Sequence, residues 1–174
     1  MKLVRWTRFT WELSKLPPIE SPLAECYHVR AAERGEEKAV SNVISNAFAQ
    51  DSAWSDVLPD FRQRLQVQID QLFERDEVPA VVICHGQRII GASALAIAGE
   101  TTNHLPSGPC VLMEYSNRGL GTALLYYSLK QLQLAGLKQA YGITKDNVVA
   151  CKFIYPKFGS TSQDYEFEPS MAGS

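Results

Sequence analysis

Between a β-rich stretch and a helical stripe lies Ser116-Asn-Arg-Gly-Leu-Gly121, a strand–turn–helix step that constrains the chain more than any other feature. Paired glycines let a backbone approach a ligand closely, and the amide N–H groups at a helix start point outward together, an arrangement suited to phosphate oxygens. Two familiar phosphate loops are excluded. A Walker loop needs Gly-Lys-Ser or Gly-Lys-Thr after four intervening residues, and the chain contains neither. A dinucleotide fingerprint needs Gly or Ala where Leu124 stands, and an acidic residue about 20 further on, where Lys138-Gln-Ala-Tyr-Gly142 runs.

The segments around this step alternate between the two periodicities. Val40, Val43, Ile44, Ala47 and Phe48 recur at helical spacing, and Phe61, Leu65, Ile69, Leu72 and Phe73 form a second stripe with Arg62, Arg64, Gln66 and Gln68 on its wet side. The segment between them, 50–60, carries Asp51, Trp54 and Asp56, which read either as a solvated acidic loop or as a wall for an amine. Val78 to Cys84 and Arg88 to Ala98 predict two strands joined through His85-Gly-Gln87 as a hairpin. A loop from Gly99 to Pro109 leads to a strand over Cys110–Tyr115. After the glycine pair, Leu125, Leu129 and Leu132 form the seam of a third helix that Gly136 closes. A strand over 139–144, a helix over 147–155 and an extended piece over 160–167 complete the chain. With a further strand over 26–30, the order is β-α-α-β-β-β-α-β-α-β: an α/β fold on a mixed, mostly antiparallel sheet with one parallel β-α-β crossover. Residues 25–174 read as one domain. Residues 1–24 form an N-terminal extension in which Trp6, Phe9 and Trp11 suggest a strand that Pro17, Pro18 and Pro22 then break.

Composition narrows the function. With 17 basic against 19 acidic residues there is no positive excess to hold a nucleic acid backbone. Lys2, Arg5, Arg8 and Lys15 fall in the extension, so the main body is mildly acidic, which suits a cationic amine. No apolar run approaches the roughly 20 residues of a membrane helix, so no membrane partner is expected. The first residues lack the apolar stretch of a secretory signal. Cys26, Cys84, Cys110 and Cys151 are widely spaced and predict reduced, packed thiols in a cytoplasmic protein. Cys26 with His28, and Cys84 with His85, fall short of a ligand set, so no metal is expected.

Two segments together are more specific. Met113-Glu-Tyr-Ser-Asn-Arg-Gly-Leu-Gly-Thr-Ala-Leu-Leu125 resembles the acetyl-CoA motif of the GNAT superfamily, commonly P-E-Y-R-G-R-G-I-G-x-A-L-L. Asn147-Val-Val-Ala-Cys-Lys-Phe-Ile-Tyr-Pro-Lys-Phe-Gly159 resembles that family's second signature, N-x-x-A-x-x-x-Y-x-K-x-G-F. The likeness covers about residues 25–168. Ser116 stands where Arg or Gln is usual, Met113 replaces the common Pro, and Phe-Gly-Ser stands where Gly-Phe would close the second motif.

The resemblance implies the GNAT acyl-CoA N-acyltransferase fold, with acetyl-CoA as co-substrate and the strands ending at Tyr115 and Thr144 splayed apart. The pantetheine arm would enter that gap and pair with the backbone of Val111 and Met113. The loop Ser116, Asn117, Arg118, Gly119, Leu120, Gly121 and Thr122 would hold the pyrophosphate, chiefly through the amides from Arg118 to Thr122. Asn147 would touch the arm from the other side. An amine would attack the thioester directly in a ternary complex, and Tyr155 would protonate the departing thiolate. Glu114 or His104 is the preferred base, with Glu100 behind them and a water relay as the alternative. The acceptor is a small or peptidic amine. Two other readings are a GNAT-like module that binds acyl-CoA without turnover, and an acyltransferase using a longer acyl group or a hydroxyl acceptor. Family members usually finish with two strands after the second motif, and only 15 residues follow Gly159. An open sheet edge is a hazard, so residues 3–12 are expected to cover it as an edge strand, or a second copy of the chain does in a homodimer.

Overall fold

The computed structural model describes residues 4–19, 23–74, 79–98 and 100–166. Pro22, the strand start at Val78, Gly99 and the tail beyond 166 lie outside the described residues. Among the described residues, seven strands form two antiparallel sheets. The first runs β2-β3-β4-β5, from β2 (Tyr27–Ala31), β3 (Ala80–His85), β4 (Arg88–Ala94) and β5 (Cys110–Val111). The second runs β6-β1-β7, from β1 (Trp6–Glu12), β6 (Gln139–Lys145) and β7 (Thr161–Tyr165). Helices α1 (Glu37–Gln50) and α2 (Leu58–Leu72) precede β3, and α3 (Leu120–Leu134) links β5 to β6.

Strand alternation sorts the core into two layers. Ala80, Val82 and Cys84 of β3 pack with Val40, Ile44 and Phe48 of α1 and with Leu65 and Ile69 of α2. Val81 and Ile83 face the other way, onto Leu124, Leu125 and Leu129 of α3. Burial on both faces makes β3 apolar from Ala80 to Cys84 rather than alternating. The leucine seam of α3 is fully buried as expected, and the helix closes through Gly136 N–H to Gln133 O and Leu137 N–H to Leu132 O.

The N-terminal strand forms, but the expectation of an extra edge strand is corrected. β1 lies in the middle of its sheet, pairing Phe9 with Gly142 of β6 on one side and with Ser162 of β7 on the other. Its alternate residues Phe9 and Trp11, with Leu13 just beyond, are buried against α3 and β3. β7 is the edge instead, and its exposed Thr161, Ser162, Gln163 and Asp164 keep that edge polar. Two further segments differ from expectation. The strand foreseen over 110–115 stops at Val111 and turns into a 3-10 helix over Met113–Tyr115. The helix foreseen over 147–155 is one π-helical turn, Ala150–Ile154, whose wide ring is closed by Tyr155 N–H to Ala150 O at 2.8 Å.

Candidate active site

β5 and β6 end neighbouring sheets without pairing, so a gap opens between them. Its closed end is made by the loop before β5. There His104 N–H donates to Tyr141 O at 2.8 Å, and Tyr141 N–H donates to His104 Nδ1 at 2.9 Å. Beyond Pro106–Pro109 the strands diverge around a cavity of about 570 Å³. Leu112 N–H donates to Ile90 O. Backbone groups alternate along a strand, so those of Val111 point to the opposite edge, into the gap.

The loop after β5 delivers the helix start. Gly119 takes φ +76° as the N-cap of α3, a left-handed conformation that a side chain would strain. Ala123 is the first residue of α3 whose N–H finds a backbone acceptor, Gly119 O at 3.1 Å. The amides of residues 119–122 are therefore left to face the cavity with the positive end of the helix dipole. Gly121 is small for another reason: a Cβ there would come within 2.8 Å of Ile154 Cδ1, on the π-helical turn. Lys157 places its ammonium 3.2 Å from Thr122 Oγ1, beside the same amides.

Val111, Met113, Ser116, Asn117, Gly119, Leu120, Gly121, Thr122 and Tyr155 all line the cavity. Tyr155 is 2% exposed, held edge-on by Phe9 at 5.4 Å and Trp11 at 5.6 Å between centroids. Its hydroxyl makes no hydrogen bond among the described residues and sits beside Gly108, where a Cβ would come within 2.3 Å of it. Burial first, and then Cys110 and Cys151, push the phenol's ionisation upward. Tyr155 therefore stays a hydrogen-bond donor at any working pH. Burial likewise pushes the Cys110 thiol up to about 12, which fits packing rather than nucleophilic chemistry.

Other expected residues sit elsewhere. Arg118 turns outward, donating to Tyr27 Oη at 2.7 Å and lying 5.4 Å over the Tyr115 ring. Asn147 is left-handed at φ +67° and faces a different hollow, beside Thr7, Asp146 and Cys151. The two preferred bases do not reach the cavity. Glu114 is exposed and pairs with Arg88 at 3.1 Å, because the 3-10 turn rotates it off the strand. His104 spends Nδ1 on the closed end of the gap and leaves Nε2 buried without a partner among the described residues, and burial lowers its proton affinity. Glu100 is exposed on the preceding loop and does not line the cavity.

The remaining wall joins Trp54 and Asp51, which the sequence offers as either a solvated loop or an amine wall, to Phe48 and Phe61, which helical periodicity marks only as core. Phe48, Trp54 and Phe61 form one aromatic cluster, with Trp54 and Phe61 stacked at 4.9 Å and Phe48 edge-on to Trp54 at 4.9 Å. Asp51 lines the cavity beside them, accepting from Ala53 N–H at 3.0 Å to cap the 3-10 turn over Ser52–Trp54. Asp56, grouped with these residues from sequence, is paired instead with Lys145 at 2.8 Å. Gln50, at the end of α1, accepts from Met113 N–H at 2.9 Å. Among the described residues no group of three or more His, Cys, Asp or Glu could hold a metal, and no helix is long and apolar enough to cross a membrane.

Solved structures share this architecture. A GCN5-related N-acetyltransferase from Sphaerobacter thermophilus is 15% identical with a TM-score of 0.66, covering 94% of this chain and 50% of its own. A GNAT-family acetyltransferase from Colwellia psychrerythraea is 17% identical with a TM-score of 0.66, covering 95% and 57%. A GCN5-related N-acetyltransferase from Kribbella flavida is 16% identical with a TM-score of 0.58, covering 93% and 56%. The chain thus spans about half the length of these proteins, and at such identity the likeness is one of fold. No curated protein matches the sequence. The sequence model of the Acetyltransferase (GNAT) family matches residues 44–159, from α1 through the π-helical turn, which is two thirds of the chain. Unpaired strands, a left-handed glycine opening α3 and that match agree: this chain belongs to the GNAT acetyltransferase family.

Proposed function

We propose that this chain is an N-acetyltransferase that takes acetyl-CoA into the gap between β5 and β6 and passes the acetyl group to an amine. One observation carries the reading: the unpaired amides of residues 119–122 and the Lys157 ammonium converge at one end of a cavity that continues past Val111 to Tyr155. Amides at a helix N-terminus with an ammonium beside them suit a pyrophosphate. When bound, acetyl-CoA supplies an activated acyl group on a leaving thiol.

The residues of the chain then do the following. The amides of 119–122 and Lys157 bind the anionic end. The inward-facing backbone of Val111 pairs with the arm in the manner of an added strand. Met113 N–H is a further donor once Gln50 moves aside, and it would stabilise negative charge growing on the acyl oxygen. Tyr155 Oη donates a hydrogen bond to the sulfur as it leaves. An ordinary thiol ionises near 8.5, so complete proton transfer from a phenol raised by burial runs uphill. Tyr155 is accordingly a stabilising donor first and a proton source second. With Glu114 and His104 off the cavity, the amine's proton leaves through water in the open mouth of the gap.

The four unpaired thiols suit a reducing, cytoplasmic setting. A second reading, an acyl-CoA-binding module without turnover, is favoured by the outward turn of Glu114 and the inward burial of His104. Calorimetry with acetyl-CoA, followed by thiol release across an amine panel, separates the two. Wild type is expected to bind, and Gly119→Val to lose at least about tenfold in affinity while staying folded, because the new side chain strains the cradle. Unchanged affinity in Gly119→Val would refute the pyrophosphate assignment. Binding without thiol release would favour the module.

A further inference from the structure

We propose that the acceptor is a small monoamine with an aromatic or apolar body, its ammonium held by Asp51 and its body by Phe48, Trp54 and Phe61. This rests on the transferase reading and extends it to the substrate class.

The cavity is polarised. Among the described residues that line it, only Asp51 and Lys157 carry charge. They lie in different layers of the molecule. Lys157 reaches Thr122 in the first turn of α3, whose Leu120 packs in one layer with Ile154 and Tyr155. Asp51 follows α1 beside Phe48 and Trp54, in the layer formed by α1 and α2. A gap between unpaired strands joins the two layers, so two substrates can meet in it from opposite faces. The anion-binding groups belong to one and the carboxylate to the other.

Asp51 has capacity for a ligand. Its Oδ1 accepts from Ala53 N–H, which fixes the carboxylate at the end of α1, and its second oxygen remains for an ammonium. The neighbouring acid, Asp56, is neutralised by Lys145, which also donates to Ala53 O. One carboxylate serves one ammonium. A second ammonium on the same molecule would find no second carboxylate along the cavity among the described residues, and further in it would meet Lys157 and the positive end of α3. Polyamines and amino sugars with several charges are thereby disfavoured.

The walls set the body of the substrate. Trp54 stacks on Phe61 and meets Phe48 edge-on, and Trp6 backs the cluster 6.1 Å from Trp54. Ring faces and edges accept another aromatic ring in offset or edge-on contact and attract a nearby ammonium. They offer a hydroxyl-rich body nothing to bond. In the reaction the neutral amine nitrogen forms a bond to the acyl carbon, the carbon–sulfur bond breaks with its electron pair on sulfur, and the nitrogen's proton leaves to solvent. Asp51 thus binds the ammonium before that deprotonation and takes no part in the bond changes.

The test uses the full chain and three probes: 2-phenylethylamine, ethanolamine and spermidine. With acetyl-CoA saturating, kcat/KM for 2-phenylethylamine should exceed that for either other amine at least tenfold. Asp51→Asn keeps an oxygen for the Ala53 cap and removes the charge. It should raise KM for 2-phenylethylamine about tenfold while acetyl-CoA affinity stays within twofold. Calorimetric titration of 2-phenylethylamine into the CoA-bound protein provides a readout free of turnover, and binding there should weaken about tenfold in Asp51→Asn. A preference for spermidine or ethanolamine, or an unchanged KM and affinity in Asp51→Asn, overturns the acceptor proposal while leaving the transferase reading intact. If acetyl-CoA binds and no amine is acetylated, the transferase reading falls, and the same titration alone decides whether Asp51 holds the amine.

Discussion

Gly108 and Tyr155 offer a double-mutant cycle whose outcome follows from two distances. An added Cβ at residue 108 would lie 2.3 Å from the Tyr155 hydroxyl, but 3.4 Å from the ring carbon that bears it. Gly108 also has φ +64°, where any side chain costs about 1–2 kcal/mol of backbone strain. In the native background Gly108→Ala therefore carries strain plus an overpacking term of about 1–3 kcal/mol, or about 2–5 kcal/mol together. Tyr155→Phe keeps the edge-on contacts to Phe9 and Trp11 and deletes a hydroxyl without a partner among the described residues, so alone it should change stability by less than about 1 kcal/mol. In the Tyr155→Phe background the close contact disappears and only strain remains. The coupling should then be about 1–3 kcal/mol, with the double variant more stable than Gly108→Ala alone. For a chain of this size 1 kcal/mol corresponds to about 2–4 °C in Tm, so thermal melts of the four proteins resolve the cycle. Coupling under about 0.5 kcal/mol, the range of independent sites, would mean that the hydroxyl does not sit against Gly108. Tyr155→Phe should also lower single-turnover acetyl transfer about a hundredfold with acetyl-CoA affinity nearly unchanged. Full turnover would remove Tyr155 from the mechanism whatever the cycle shows.

Lys157→Met should weaken acetyl-CoA binding about three- to tenfold, more at low salt, with Tm unchanged; equal affinity by calorimetry would dissociate Lys157 from the anionic end. Trp11→Ala removes a fully buried ring and the bond from Nε1 to Lys157 O, so it should cost about 3–5 kcal/mol, and a Tm within about 2 °C of wild type would contradict the central place of β1. Arg30 clasps Glu36 at 2.7 and 2.8 Å and holds its carboxyl at about 2, well below the usual 4.5. That depressed value means the pair stabilises the fold above about pH 4.5 and loses its effect as pH falls through about 2. Urea titrations should show wild type losing about 1–2 kcal/mol between about pH 5 and 2, and Glu36→Gln losing less across the same window; parallel curves would refute the linkage.

What could be read from sequence, and what could not, divides along the range of the interactions. The glycine-bearing loop and the seam of α3 were legible because local rules govern them: a helix start leaves amides free wherever the chain runs next. Phe48 and Phe61 were legible as core, and they are core, but the same periodicity cannot say that one edge of that core borders a cavity. Gln50 bonds Met113, 63 residues away, and no local pattern carries such a pairing. Glu114 was misplaced for a related reason. Its side is set by whether the chain stays extended after Val111, and the 3-10 turn at Met113–Tyr115 rotates it toward Arg88.

The deepest difference concerns residues 6–12, which alternation marks as a strand with one buried face but without neighbours. Seated between β6 and β7, β1 holds the site from behind. Trp11 Nε1 donates to Lys157 O at 2.9 Å, and the Phe9 and Trp11 rings brace Tyr155. Lys157 and Tyr155 both follow the π-helical turn, whose wide hydrogen-bond ring gives them little support from their own segment. Their positions therefore depend on a strand nearly 150 residues earlier in the chain. A change in β1 should thus reach the acyl-transfer end of the cavity before it reaches Asp51 and the aromatic cluster, against which Trp6 packs. Trp11→Phe is the mild form of that change, removing one hydrogen bond and little volume. It should lower turnover and acetyl-CoA affinity together while leaving 2-phenylethylamine binding within twofold. Equal losses at both ends would mean that β1 supports the sheet as a whole rather than the site.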